Sequence, residues 1–153
     1  MNDNESSDTC DDDGFESEAD RRSQEQYDLS LSLYEPGREL FDCGCFEDAI
    51  GPLKNSWDVM EDSKTAEVIA RCYTEMRDYA RAIHWFSRSI SLNPKRQPIY
   101  RFRAELYEQI GNLESALRDY EKAVEINPVY KRCRLAAERL RKRLGKTSDD
   151  AGS

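Results

Sequence analysis

From Ser63 to Pro128 the apolar residues return three, four and seven positions apart: Tyr73 follows Ala70, and Ala82, Phe86 and Ile90 step down one face. That spacing winds into the stripe of an amphipathic helix, and no strand-type alternation accompanies it, so the pattern predicts a series of short helices. Punctuation falls between the stripes. Asn93-Pro94 and Asn127-Pro128 each stop a helix, because proline has no amide to donate and disfavours helical backbone in the residue before it. Gly111-Asn112 supplies a turn between two helices, and Arg77-Asp78 holds the corresponding place one unit earlier.

The units repeat. Shifted by 34 residues, the chain aligns Ala70 with Ala104, Tyr73 with Tyr107, Ala82 with Ala116 and Phe86 with Tyr120. Ile90 then meets Val124, Leu92 meets Ile126, and Asn93-Pro94 meets Asn127-Pro128. Eight matches of the right type exceed coincidence. A helix–turn–helix unit of about 34 residues, with small residues where the helices cross and a proline closing the second helix, resembles the tetratricopeptide repeat. The resemblance covers about residues 30–145. It implies an all-α superhelix of about three repeats, at about 30–62, 63–96 and 97–129, followed by a C-terminal capping helix at 130–146.

The first repeat is the irregular one. Gly44-Cys45-Phe46-Glu47-Asp48-Ala49 looks like the inter-helix turn and second-helix start, with Gly37 at the small position and Leu40, Leu53 and Trp57 at bulky ones. Pro36 and Pro52 fall inside the expected helices, where proline costs about 3 kcal/mol or forces a kink. The first helix is therefore expected to start at Pro36, with residues 25–34 as a separate helical turn. After Pro128, Cys133, Ala136, Ala137, Leu140 and Leu144 form the stripe of a last helix, and Gly145 stops it.

Composition sharpens this picture in two places. A hydrophobic fraction of 38% against 35% charged residues suits a thin, solvated helical protein rather than a deep core. Residues 1–20 carry nine acids and no base, and without them the net charge of −8 becomes +1. Residues 1–24, poor in apolar side chains, are expected to be disordered, as is the tail at 147–153. No apolar run is long enough for a membrane, and the polar, acidic start does not read as a signal peptide. With five scattered cysteines, the expectation is reduced thiols in the cytoplasm, with nuclear access possible.

The family resemblance implies a non-catalytic module that binds a segment of a partner protein on the concave side, lined by the first helix of each repeat. The positions it assigns there are Tyr34, Arg38 and Phe41, then Lys64, Glu67, Arg71 and Thr74, then Arg101, Glu105 and Glu108. Some relatives grip acidic chaperone tails through lysine, asparagine and arginine. The matching positions here are Tyr34, Arg38, Val68, Pro98 and Phe102, of which only Arg38 keeps a donor, so no such clamp is expected. The basic last helix offers a secondary patch at Arg132, Arg139 and Lys142, although a solvated face explains its charge more simply. The acidic tail could compete with an acidic partner for that helix. Two other readings remain: a small dedicated chaperone, resembling those of bacterial secretion translocators, and weak RNA binding through the basic helix. The latter is disfavoured because aromatics are not interleaved with its bases.

No chemistry is expected. Cys43-Gly44-Cys45 has too few partners for a zinc site, His84 is the one histidine, and no nucleophile has a base beside it in the pattern. No metal, cofactor or catalytic residue is assigned. Trp57 and Trp85 read as packing residues. The chain is expected to be a monomer or a weak homodimer.

Overall fold

The computed structural model describes residues 17–145, which form seven α-helices and no strand. Residues 1–16 and 146–153, and with them most of the acidic segment, Cys10, Lys146 and the C-terminal tail, lie outside the described residues. Helix α1 (Glu18–Asp42) corrects two expectations: residues 18–24 are helical, and the helix neither starts nor breaks at Pro36. Its first turn is closed by a capping box. Ser17 Oγ accepts from the Asp20 amide at 3.1 Å, and the Asp20 carboxylate accepts from the Ser17 amide at 3.2 Å. Pro36 is tolerated because it lies on the exposed face, as does Ser32, whose carbonyl loses its amide donor and is left to water.

On the opposite face Gly37 is buried against helix α2 (Phe46–Val59): an added Cβ would meet Leu53 Cγ at 2.6 Å. Helix α2 in turn runs through Pro52, preceded by Gly51, whose missing Cβ spares the clash that proline imposes on a helical neighbour. Helices α3 (Ser63–Glu75), α4 (Tyr79–Leu92), α5 (Gln97–Gln109), α6 (Leu113–Ile126) and α7 (Lys131–Arg143) follow, each packed on its chain neighbours. The starts of α3, α5 and α7 are 34 residues apart, so α7 occupies the place of a first helix.

The turn after each first helix is one motif. Gly44, Arg77 and Gly111 take left-handed backbone (φ 80°, 60° and 79°), and Gly145 does so after α7 (φ 66°). The next amide reaches back to close the helix: Cys45 to Leu40 O at 2.9 Å, Asp78 to Tyr73 O at 2.9 Å, Asn112 to Tyr107 O at 2.8 Å. Asp78 and Asn112 then cap α4 and α6 through their side chains, whereas Cys45 makes no such bond to α2.

Gly37 and Ala49, Ala70 and Ala82, and Ala104 and Ala116 supply the small buried side of each hairpin. Around them pack Leu53, Ile69 and Phe86 of the first two repeats with Ile99 of α5, and Tyr120, Ala123, Cys133 and Leu140 toward the end, with Ile90 touching both groups. Trp57 and Trp85 are buried edge to face at 5.1 Å, with Arg88 over both rings. Two buried serines fasten hairpins at equivalent points: Ser56 Oγ donates to Ser30 O (2.8 Å) and Ser89 Oγ to Ser63 O (2.7 Å). Arg103 fixes the third repeat to the second, bidentate to Asp119 at 2.7 Å and reaching Ser87 at 2.8 Å.

Candidate functional site

Three hollows lie along the first helices. The first, of about 310 Å³, is walled by Tyr27, Leu31 and Tyr34 of α1 and by Met60, Asp62 and Lys64. Tyr34 is half-buried there. Burial, with the nearby carboxylates of Glu35, Asp62 and Glu67, pushes its phenol above the ordinary range despite Arg38 beside it. Tyr27 and Leu31 are exposed at its edge, which gives this hollow an apolar side beside the charged Glu35, Asp62 and Lys64.

The second hollow, of about 620 Å³, lies between α3 and α5. Its floor is Phe86 and Phe102, stacked at 5.9 Å, and its rim carries Arg71, Thr74, Arg77 and Glu105. Phe41 joins it to α1: the Arg71 guanidinium sits 4.7 Å from the Phe41 ring centre and that of Arg38 at 5.5 Å, while Phe46 meets the ring edge-on. Thr74 Oγ is turned back onto its own helix, donating to Ala70 O at 2.9 Å.

The third hollow, of about 580 Å³, is closed by α7 and shares Glu105 and Gln109 with the second. Leu135, half exposed, lies between two ion pairs: Arg132 to Glu105 at 3.6 Å and Arg139 to Glu108 at 2.6 Å. Tyr120 donates its hydroxyl to Glu108 at 2.8 Å. Burial and that carboxylate both raise its phenol pKa.

Likeness to known proteins bears on what this arrangement is. The sequence profile described as Tetratricopeptide repeat matches residues 69–144. The fold is similar to that of the Yersinia enterocolitica type III secretion chaperone SycD, solved with a peptide of the translocator YopD (TM-score 0.71, 22% identity, covering 76% of this chain and 95% of that one). The chain belongs to the tetratricopeptide-repeat family. Also similar in fold are the second tetratricopeptide-repeat domain of human RPAP3, solved with an HSP70 peptide, and the Arabidopsis OM64 domain. Each has a TM-score of 0.69 and 18% identity, over 76% of this chain and 98% of theirs.

Within this tetratricopeptide-repeat chain the assigned positions do not all reach the trough. Tyr34 and Lys64 line the first hollow, Arg71, Thr74 and Glu105 the second, and Glu105 and Glu108 the third. Glu67 is a correction: it is buried, and Arg96 from the loop before α5 reaches it at 2.5 Å, so it braces α3 rather than facing a guest. Arg101 is similarly withdrawn, its side chain 15% exposed, stacked 4.2 Å over Phe102 and paired with Glu105 at 2.8 Å. Arg132 and Arg139, read as a separate patch, instead wall the third hollow, while Lys142 is exposed and lines none of the three. Sequence reasoning missed Arg77, Leu135, Tyr27 and Leu31. Only Arg77 left a signal, as a long side chain at a position that is glycine in the other turns.

No group of three or more potential metal ligands exists among the described residues. Cys43 and Cys45 are exposed at the first turn, and His84 is exposed on α4. Cys72 is buried, its thiol pushed up to about 11 by burial. Among the described residues no helix is long and apolar enough to cross a membrane.

Proposed function

We propose that this chain is a non-catalytic adaptor that holds a segment of another protein along the concave trough. The observation that carries this is continuity. The second and third hollows share Glu105 and Gln109, and Phe41 extends the same surface to α1. A guest segment would therefore meet aromatic and arginine anchors without a break, the residue types that dominate interface energetics. The folds of SycD and RPAP3, solved with partner peptides, support the use of this architecture for holding an extended chain.

The RNA reading loses ground because three of the seven bases on α7 are already answered: Arg132 by Glu105, Arg139 by Glu108, and Arg141 by Glu121 at 2.8 Å. A dedicated-chaperone reading keeps one supporting feature, the apolar first hollow with Tyr27 and Leu31 exposed at its edge. Such a chaperone keeps an insoluble apolar partner soluble on co-expression, which an adaptor need not do. The adaptor reading is tested by quantitative pull-down with wild type against Thr74→Arg plus Gln109→Arg, which obstruct the middle of the trough. Loss of a defined set of proteins is expected, and retention of every partner by the double variant would refute it.

A further inference from the structure

We propose that the second hollow selects a segment in which an acidic residue stands next to an aromatic or large aliphatic one, with Arg71 and Arg77 receiving the carboxylate. This rests on reading the trough as a peptide-binding surface. The first reason is the backbone of Arg77. Its φ of 60° is one that side-chain-bearing residues rarely adopt, and the equivalent positions are Gly44, Gly111 and Gly145. Only in the second repeat does this turn carry a long cation, and there it lines the hollow. A strained residue retained at a site, where glycine would serve the turn as well, points to work done by its side chain.

Charge supplies the second reason. Elsewhere on the trough each guanidinium has a carboxylate: Arg38 has Asp42 at 3.1 Å, Arg101 and Arg132 share Glu105, and Arg139 has Glu108. Among the described residues Arg71 and Arg77 form no ion pair. Glu105 is engaged by its two arginines, and Glu75, exposed and paired with neither Arg71 nor Arg77, offsets only one of their two charges, so the lining keeps one net positive charge. Arg71 is also pre-positioned. Its guanidinium carbon lies 4.7 Å over the centre of the Phe41 ring, and among the described residues none of its donors makes a hydrogen bond, so they are free for a bidentate carboxylate. Beneath, the partly buried Phe102, backed by the fully buried Phe86 stacked against it, offers apolar surface for the neighbouring side chain.

The test is selection of a displayed library of random twelve-residue peptides on the full chain, followed by synthesis of the enriched sequences. Enriched peptides should carry Asp or Glu within two residues of Phe, Trp, Tyr or Leu. They should bind Arg77→Gly and Arg71→Gln about tenfold more weakly than wild type, and Thr74→Arg weaker still. Glu→Gln in the peptide should cost wild type at least the same tenfold and cost Arg77→Gly less, because Arg71 alone is then left to receive the carboxylate. Thermal unfolding guards the result, since Arg77→Gly should be at least as stable as wild type. Acid-free consensus sequences, or acidic peptides indifferent to Arg77→Gly yet lost with Thr74→Arg, overturn this inference and leave the trough reading standing. Peptides indifferent to Thr74→Arg, or a library without binders, overturn both. A chain that sediments as a dimer, made monomeric by Arg77→Gly, would give the hollow to a second copy and likewise overturn it.

Discussion

Gly37→Ala sets two opposing effects against each other, and the structure decides between them. In an ordinary helix interior, replacing glycine with alanine stabilises by about 0.8–1.0 kcal/mol. Here the new methyl would stand 2.6 Å from Leu53 Cγ, 3.0 Å from Leu53 Cδ2 and 3.1 Å from the Ala49 carbonyl oxygen. Carbon contacts are favourable only at about 3.5–4.0 Å, and Leu53, fully buried, has nowhere to swing. Overpacking of this kind costs about 1–3 kcal/mol, and with a backbone atom among the obstacles the upper half of that range applies. The net expectation is a loss of about 1–2 kcal/mol, or a Tm lowered by about 4–8 °C, read by circular dichroism on heating and in urea. A second signal should move with it. Trp57 lies one turn beyond Leu53 and packs on Trp85, so their near-ultraviolet dichroism should change in the folded variant. A double-mutant cycle closes the argument. Leu53→Ala alone should cost about 2–5 kcal/mol, but the methyl introduced by Gly37→Ala would partly refill that space, making the pair less than additive by about 1 kcal/mol. A raised Tm, or simple additivity, would refute the close approach of α1 and α2.

Other substitutions test the repeated turn and the core. Arg77→Gly should raise stability by about 0.5–1 kcal/mol, because relief of left-handed strain exceeds the entropy that glycine adds to the unfolded chain, while Gly111→Ala should lower it by about 1 kcal/mol; urea midpoints of the two decide. Cys45 occupies the N-cap of α2 with backbone angles close to those of Asp78 and Asn112 but without their side-chain bond, so Cys45→Asp should gain about 1 kcal/mol in the same assay. Thiol reagents should modify Cys43 and Cys45 in the folded protein and reach Cys72 and Cys133 only on unfolding, with rates followed by mass spectrometry. The buried Cys72 thiol ionises at about 11 instead of its ordinary 9, so the unfolded state loses its proton first. Stability should be intact below pH 9 and fall by about 2–3 kcal/mol between pH 9 and 11 from this group, a fall that Cys72→Ala should flatten.

Much of the fold was legible because the second and third repeats are written in residues whose role is steric. Ala70 and Ala82 must be small and Asn93-Pro94 must stop a helix, and such demands survive translation from sequence to structure. The first repeat was harder for a physical reason. Pro36 breaks a helix only if its lost hydrogen bond falls where water cannot repair it, and periodicity alone did not show that Pro36 faces solvent while Gly37 faces Leu53. Nor did composition show that Ser17 and Asp20 would cap a helix within a stretch read as an acidic tail. The trough was legible by position and not by partnership. The family resemblance placed Glu67 and Arg101 on the inner side. Their fates were set by Arg96 and Phe102, residues on another element and at the next position, respectively.

Partnership also explains what α7 does. Its buried stripe, Cys133, Ala137 and Leu140, has only one large aliphatic side chain, so apolar contact holds it more thinly than it holds α3. Three arginines make up the difference by reaching α5 and α6 through Glu105, Glu108 and Glu121. Partly exposed pairs of this kind contribute about 0–1 kcal/mol each and weaken in salt, so the end helix is the least firmly held wall of the trough. The same pairs silence Glu105 and Glu108, the two carboxylates that would otherwise repel an acidic guest from the third hollow. Docking of the last helix and the charge presented to a partner are therefore one arrangement. Any change that loosens α7 alters what the trough can hold before it alters whether the repeats fold.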